Sequence, residues 1–267
     1  MDNSILKIRD LHLWLHTEQG LHHILQGVDL DIQKGEVHGL IGESGCGKTM
    51  MTKAVLNMGD AARTVVRGTI RFDGQELTEL PASQRRRLGG RQIGYITQDP
   101  LTALNPLFTV GEQIAEMLRY HKGMNRKEAM QEAVKQLERV GIVPGAQMSR
   151  RYPHQFSGGQ LQRICLAMAV CCGPQLLIAD EPTTALDVTT QAQILELLRQ
   201  LQKEGLAILL ITHDFGVVSE VCQRVSVMDK GTIVEEGDTN AVFNQPQKEY
   251  TKRLIDSAVR KEGAYET

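Results

Sequence analysis

Three unbroken apolar runs organise the chain: "EVHGLI" (Glu36–Ile41), "QLLIAD" (Gln175–Asp180) and "LAILLIT" (Leu206–Thr212). Each is too short for an ordinary helix and continuous rather than alternating. That pattern predicts strands of a parallel sheet buried on both faces. Elsewhere apolar residues recur at helical spacing: from Met50 onward, from Thr109 to about His121, and from Asn125 to a stop at Gly141. "LQRICLAMAVCC" and "TTQAQILELLRQLQKEG", the latter closed by Gly205, read the same way. Asn125 and Glu128 stand at capping-box spacing, and Met130, Val134 and Leu137 supply that helix with a buried stripe. Alternating strands and helices indicate a mainly parallel sheet covered on both faces.

A different pattern flanks this core. From Ile5 to Ile32 short apolar runs are broken by "TEQG" and "QGVD", which predicts a small antiparallel sheet. "RGTIRFDGQEL" continues in strand and turn, "QIGYITQD" is a strand ending at Gln98, and "RVSVMDKGTIVEEG" is a hairpin turning at Asp229 to Gly231. We therefore expect one domain over 1–267: a core with a β subdomain at about 1–98 and 166–235, a helical insertion at 99–165, and a tail at 236–267.

Composition narrows the class. At 267 residues and 41% hydrophobic content the chain can bury a sizeable core. "MDNSILKIRD" lacks a basic stretch followed by an apolar one, and no apolar stretch approaches the roughly 20 residues that span a bilayer. A cytoplasmic location is expected. A formal charge of −2 argues against a large nucleic-acid surface, so Arg85–Arg87 and Arg150–Arg151 read as solvated faces. Cys46, Cys165, Cys171, Cys172 and Cys222 have no spacing for a zinc site or disulfide framework, which fits a reducing compartment. His12, His16, His22 and His23 crowd the N-terminal segment. Without cysteine or carboxylate partners at ligand spacing, an exposed hairpin is favoured over a metal site.

The chemistry lies at strand ends. "GESGCGKT" (Gly42, Glu43, Ser44, Gly45, Cys46, Gly47, Lys48, Thr49) follows a buried strand and opens a helix, where glycines leave backbone N–H groups able to cradle phosphates. Lys48 is suited to the β and γ phosphates and Thr49 to Mg²⁺. Asp180 and Glu181 end "LLIADE": the first is suited to ordering the Mg²⁺ shell, the second to polarising an attacking water. The same pair could instead cap a helix. His213 and Gln98 also end strands, so Lys48, Gln98, Asp180, Glu181 and His213 are expected along one sheet edge. "QFSGGQLQR" poses a separate question. Ser157 and Gln160 form a capping box, yet Gly158 and Gly159 follow the cap, each costing on the order of 1 kcal/mol relative to alanine in a helix. Something must approach this backbone closely.

Taken together, these segments resemble the ATP-binding cassette proteins, with "GESGCGKT" as Walker A, Gln98 as the Q-loop, "FSGGQ" as the signature, "LLIADE" as Walker B, "ALD" at Asp187 as the D-loop and His213 as the switch histidine. The resemblance covers nearly the whole chain. It implies a P-loop NTPase (RecA-like) core with an N-terminal antiparallel β subdomain and an inserted α-helical subdomain. It also implies ATP and Mg²⁺ as ligands, the latter held by Thr49, Gln98 and Asp180. Two cassettes, identical or paralogous, would meet head to tail, the signature of one closing on the γ-phosphate held by the other. That phosphate is the expected visitor at Gly158 and Gly159. Two membrane permease subunits, and indirectly an extracytoplasmic solute-binding protein, complete the implied assembly on the cytoplasmic face of the membrane.

"QDPLTALNP", "ADEPTTALDV" and the tail "NQPQKEYTKRLIDS" look like the cassettes of peptide and nickel importers. With no cysteine after Cys222, the cysteine-rich extension of many peptide members is missing, which points toward nickel or metal-chelate import, with dipeptide import close behind. The adenine-stacking aromatic is expected at Trp14, one residue off the family position, or at His16. Rival readings are a soluble cassette acting on ribosomes or in DNA repair, and a regulatory module that binds nucleotide without hydrolysing it. The single-cassette length and the absence of a long coiled coil oppose the first. Glu181 and His213 oppose the second.

Overall fold

The structure, a computed structural model, describes residues 3–59, 62–184 and 186–263; the chain's first two residues, Ala185 of "ALD" and the end of the tail lie outside them. Along the chain come β1 (Ser4–Thr17), β2 (Gly20–Gln33), β3 (Val37–Ile41), α1 (Lys48–Leu56), β4 (Thr64–Phe72), β5 (Gln75–Glu76) and α2 (Ala82–Leu88). Then follow β6 (Ile93–Ile96), α3 (Pro100–Ala103), α4 (Val110–Lys122), α5 (Arg126–Arg139), α6 (Gly145–Met148), α7 (Gly158–Val170), β7 (Leu176–Asp180) and α8 (Val188–Lys203). The last elements are β8 (Ala207–Ile211), α9 (Phe215–Val221), β9 (Arg224–Asp229), β10 (Thr232–Asp238), α10 (Thr239–Asn244) and α11 (Glu249–Gly263). They group into two units, residues 1–86 with 207–267, and residues 87–206.

The first unit holds an antiparallel sheet in the order β2-β1-β4-β5. "QGVD" does not interrupt it. β2 runs straight through, because a shift of register opposite, with Asp10 in the left-handed region at φ 46°, absorbs the mismatch. The same unit pairs β3 in parallel with both β8 and β9, and β9 antiparallel with β10. Every residue of β3 and β8 is buried, as their unbroken apolar sequences require. His38 in β3 is the polar exception: fully buried, it bridges Glu36 Oε1 at 3.0 Å and Ser226 Oγ at 2.8 Å. Burial alone would push the Glu36 carboxyl up; hydrogen bonds from His38 and the Gln33 N–H outweigh it and hold the group below its ordinary range. The arginine cluster divides. Arg85 turns inward and donates to the Ala54 carbonyl at 2.7 Å, so it is not on the solvated face expected for all three. Arg86 and Arg87 are exposed.

The second unit pairs β6 and β7 in parallel. α4 and α5 each begin with a complete capping box, Thr109 with Glu112 and Asn125 with Glu128. The buried stripe of α5 is Ala129, Ala133 and Leu137, not the larger Met130 and Val134, which are half-buried.

Candidate functional site

In the first unit the phosphate loop fills the gap between the end of β3 and the start of α1. Gly42 is there of necessity: a Cβ at this position would lie 2.2 Å from the Met228 carbonyl oxygen. Gly47, at φ 117°, would press a Cβ to 2.9 Å from Leu25 Cδ2. Lys48 is buried, and its ammonium donates to the carbonyls of Gly42 at 2.7 Å and Glu43 at 3.0 Å. Burial raises the Cys46 thiol despite neighbouring Lys48, so it stays a neutral loop residue. Glu43, Ser44, Gly45 and Thr49 are exposed. One contact joins two stretches that the sequence reading kept apart: the Glu43 N–H donates to the Tyr250 hydroxyl of α11 at 3.3 Å.

His213 lies two residues past the end of β8, exposed, immediately before Asp214, which caps α9 by accepting from the Val217 N–H at 3.0 Å. Trp14 sits elsewhere than on the phosphate loop. Its ring stacks on His23 at 4.5 Å and 11°, with His12 next to it at 5.5 Å and the Arg67 guanidinium 5.4 Å from its centroid. Its neighbour Leu13 is the buried residue, paired with the Leu25 that packs on Gly47. Alternation along β1 turns Trp14 to the other face. His16 is exposed, its N–H bonded to the Arg63 carbonyl at 2.7 Å.

In the second unit Asp180 closes β7 and is buried, with the Tyr95 hydroxyl 3.4 Å from its Oδ2. Glu181 follows with φ 50°, a left-handed backbone that a glutamate adopts only when its surroundings impose it. Two donors fix its carboxylate: Gln98 Nε2 at 3.1 Å and the Thr184 hydroxyl at 2.8 Å. Gln98 itself lies two residues beyond the end of β6 at Ile96, because Asp99 then begins α3 by capping the Leu101 N–H at 2.9 Å.

The turn before α7 carries both halves of its capping box: the Gln160 N–H reaches Ser157 Oγ at 3.4 Å and the Ser157 N–H reaches Gln160 Oε1 at 3.0 Å. The two glycines have different causes. A Cβ on Gly159 would meet Thr190 Cγ2 of α8 at 2.2 Å, so the close neighbour is the chain's own threonine. A Cβ on Gly158 would meet nothing within 4 Å. Thr190 is in turn held by Asp187, the cap of α8, which accepts from its N–H at 2.9 Å and its hydroxyl at 2.7 Å. Those bonds hold the Asp187 carboxyl below its usual range. Sequence reading missed Tyr95, Thr184 and Thr190, and gave Tyr250, which lies in the tail stretch "NQPQKEYTKRLIDS", no role at the phosphate loop. Only Thr190, as the third residue after a capping aspartate, left a local trace.

A loop of glycines wrapped around a buried lysine, at the turn from a buried parallel strand into a helix, defines the P-loop class of nucleotide-binding α/β proteins. Residues 25–184 match the ABC transporter family. The dipeptide transport ATP-binding protein DppD of Bacillus subtilis is 45% identical over 96% of this chain and 77% of its own length. The oligopeptide transport ATP-binding protein AppD of the same organism is 42% identical over 96% of the chain and 78% of its own. Among solved structures, a dimeric ATP-binding cassette in a post-hydrolysis state with ADP and Pi aligns at a TM-score of 0.78 and 25% identity, covering 88% of this chain and 98% of that one. cbiO1 of Clostridium perfringens, part of the ABC transporter complex cbiONQ, aligns at 0.77 and 27% identity, over 99% of both chains. The chain belongs to the ABC transporter family. It is an ATPase of that family, with ATP as its substrate.

Proposed function

We propose that this chain powers uptake of peptides across a bacterial membrane, hydrolysing MgATP as one of a pair of cassettes. The observation that carries hydrolysis is the carboxylate of Glu181, oriented by Gln98 and Thr184 beside the buried Asp180. In this reading Lys48 and the loop N–H groups neutralise the β and γ phosphates. Thr49 in the first unit, and Gln98 and Asp180 in the second, each carry an oxygen donor of the kind a hard cation such as Mg²⁺ prefers, and Mg²⁺ held by such donors would offset phosphate charge. Glu181 accepts the proton of the attacking water as its oxygen bonds to the γ-phosphorus and ADP leaves. His213 holds the γ-phosphate side of the site. Ser157, Gly158 and Gln160, with Asp187, which holds the Thr190 that abuts Gly159, act on nucleotide bound by the second cassette. The open space over Gly158 supports that role, and Gly159 is already accounted for by Thr190.

Relatives named for dipeptide and oligopeptide transport favour peptides over nickel or a metal chelate as the solute. Permease subunits are the expected membrane partners, since the relatives are named as ATP-binding proteins of peptide transport; among the described residues no helix is long and apolar enough to cross a membrane. Exposed Leu101, Leu107 and Phe108, just after Gln98, supply apolar surface for them. The test of mechanism is Glu181→Gln: turnover should fall by about 10²- to 10⁴-fold while ATP binds and a dimer accumulates. Wild-type turnover would remove Glu181 from this role. The test of solute is uptake in a strain lacking the gene. Loss of labelled dipeptide or oligopeptide uptake is expected, and loss of nickel uptake alone would overturn the peptide assignment.

A further inference from the structure

α11 is tied down at its start. The Glu235 carboxylate in β10 accepts the backbone N–H groups of Gln247 at 2.7 Å and Lys248 at 3.1 Å, and Thr251 one turn on is fully buried. Those N–H groups and the charge near the helix start outweigh burial and hold the Glu235 carboxyl below its ordinary range. Fixing residues 247, 248 and 251 leaves Tyr250 little freedom, and its half-buried side chain ends on the phosphate loop. There the hydroxyl accepts the Glu43 N–H at 3.3 Å, while the carbonyl of the same residue accepts the Lys48 ammonium at 3.0 Å. Burial pushes the phenol up, so it remains a neutral hydroxyl at physiological pH. The Glu43 residue is thus held from two directions, by a tail side chain on its N–H and by the phosphate-binding lysine on its C=O.

We propose that Tyr250 is a positioning residue for nucleotide binding: by holding the Glu43 N–H it sets the entry of the phosphate loop, and docking of α11 through Glu235 thereby tunes affinity for ATP. This rests on the reading of Gly42–Thr49 as the phosphate site. Tyr250 touches no phosphate itself. A loop that must find its own geometry binds a phosphate more weakly than one already set, because the ordering cost falls on the binding step.

The experiment compares ATP dissociation constants, KM, kcat and melting temperature for the full-length wild type, Tyr250→Phe, Glu235→Ala, the double variant and Lys48→Ala. Tyr250→Phe keeps the ring and removes only the acceptor. It should weaken ATP binding and raise KM by about three- to tenfold, the scale of one lost hydrogen bond, with kcat and melting temperature unchanged. Glu235→Ala should weaken binding similarly, and adding Tyr250→Phe to it should cost nothing further, since both act through one contact. Unchanged affinity in Tyr250→Phe beside a large loss in Lys48→Ala would overturn the role of Tyr250 and leave the phosphate site standing. So would an additive double variant. Unchanged affinity in Lys48→Ala would overturn the phosphate-site reading and the proposal with it.

Discussion

The two glycine-rich turns of this chain look alike in sequence and differ in what fills the space around them. At the phosphate loop the chain's own atoms crowd two of the three glycines, the Met228 carbonyl oxygen standing where a Gly42 side chain would be and Leu25 pressing on Gly47, while Gly45 has open space but a φ of 83°. At the turn before α7 the crowding is one-sided, Thr190 against Gly159 and open space over Gly158. A glycine motif can therefore record a fold packing on itself or a surface kept clear for something else, and the letters alone do not separate the cases.

Gly42→Ala should break the first turn hardest, because backbone and not a pliable side chain stands in the way; we expect a loss of about 3 kcal/mol of stability by urea unfolding. Gly158→Ala should leave stability intact or slightly raised. Equal losses at both positions would erase the contrast. Next in size is Glu36→Gln, at the foot of the strand that delivers the phosphate loop, at about 2 kcal/mol near pH 7. The sign with pH follows from its lowered folded-state pKa. Stability from Glu36 is present above its ordinary value of 4.5 and is lost as pH falls through the lower folded value. The gap between wild type and variant should narrow below about pH 4.5, and a gap that widens there would refute the carboxylate's role.

Gly159→Ala sharpens the comparison further. The net cost should be about 1 kcal/mol, the clash with Thr190 being partly offset by alanine's helix preference. Thr190→Ser removes the clashing methyl and keeps the hydroxyl on Asp187, so the double variant should regain the loss; failure to do so would deny Thr190 its place as the cause. The smallest effect belongs to Trp14→Ala. With Trp14 stacked on His23, away from the face that packs on the phosphate loop, the ATP dissociation constant should change less than threefold. A loss of affinity above about tenfold would instead support Trp14 as the adenine-stacking residue.

Much of the fold is legible because its signals are local. The buried runs of β3, β7 and β8, the capping boxes of α5 and α7, and the hairpin of β9 and β10 each depend on residues within a few positions of one another. What escaped depends on distance along the chain. Arg85 reads as surface until the Ala54 carbonyl is seen beneath it, and Tyr250 lies 207 positions from the loop it touches. Short helices such as α3, α6 and α9 have too few residues to show a period. At the candidate site the charged and glycine residues were legible as chemistry, but their supports, Thr184 on Glu181 and Thr190 under Gly159, belong to residue types found everywhere.

All five cysteines are buried, and Cys165 is pushed up to about 12 by burial. For a chemist with a maleimide dye, this protein offers almost no competing thiolate at its surface. A single cysteine placed at Val188, which is 85% exposed beside Asp187 at the start of α8, would take the dye nearly alone, its thiol made more acidic by the helix N-terminus. No native cysteine need be removed first, and a change in light emission on adding ATP would report whether two such chains pair.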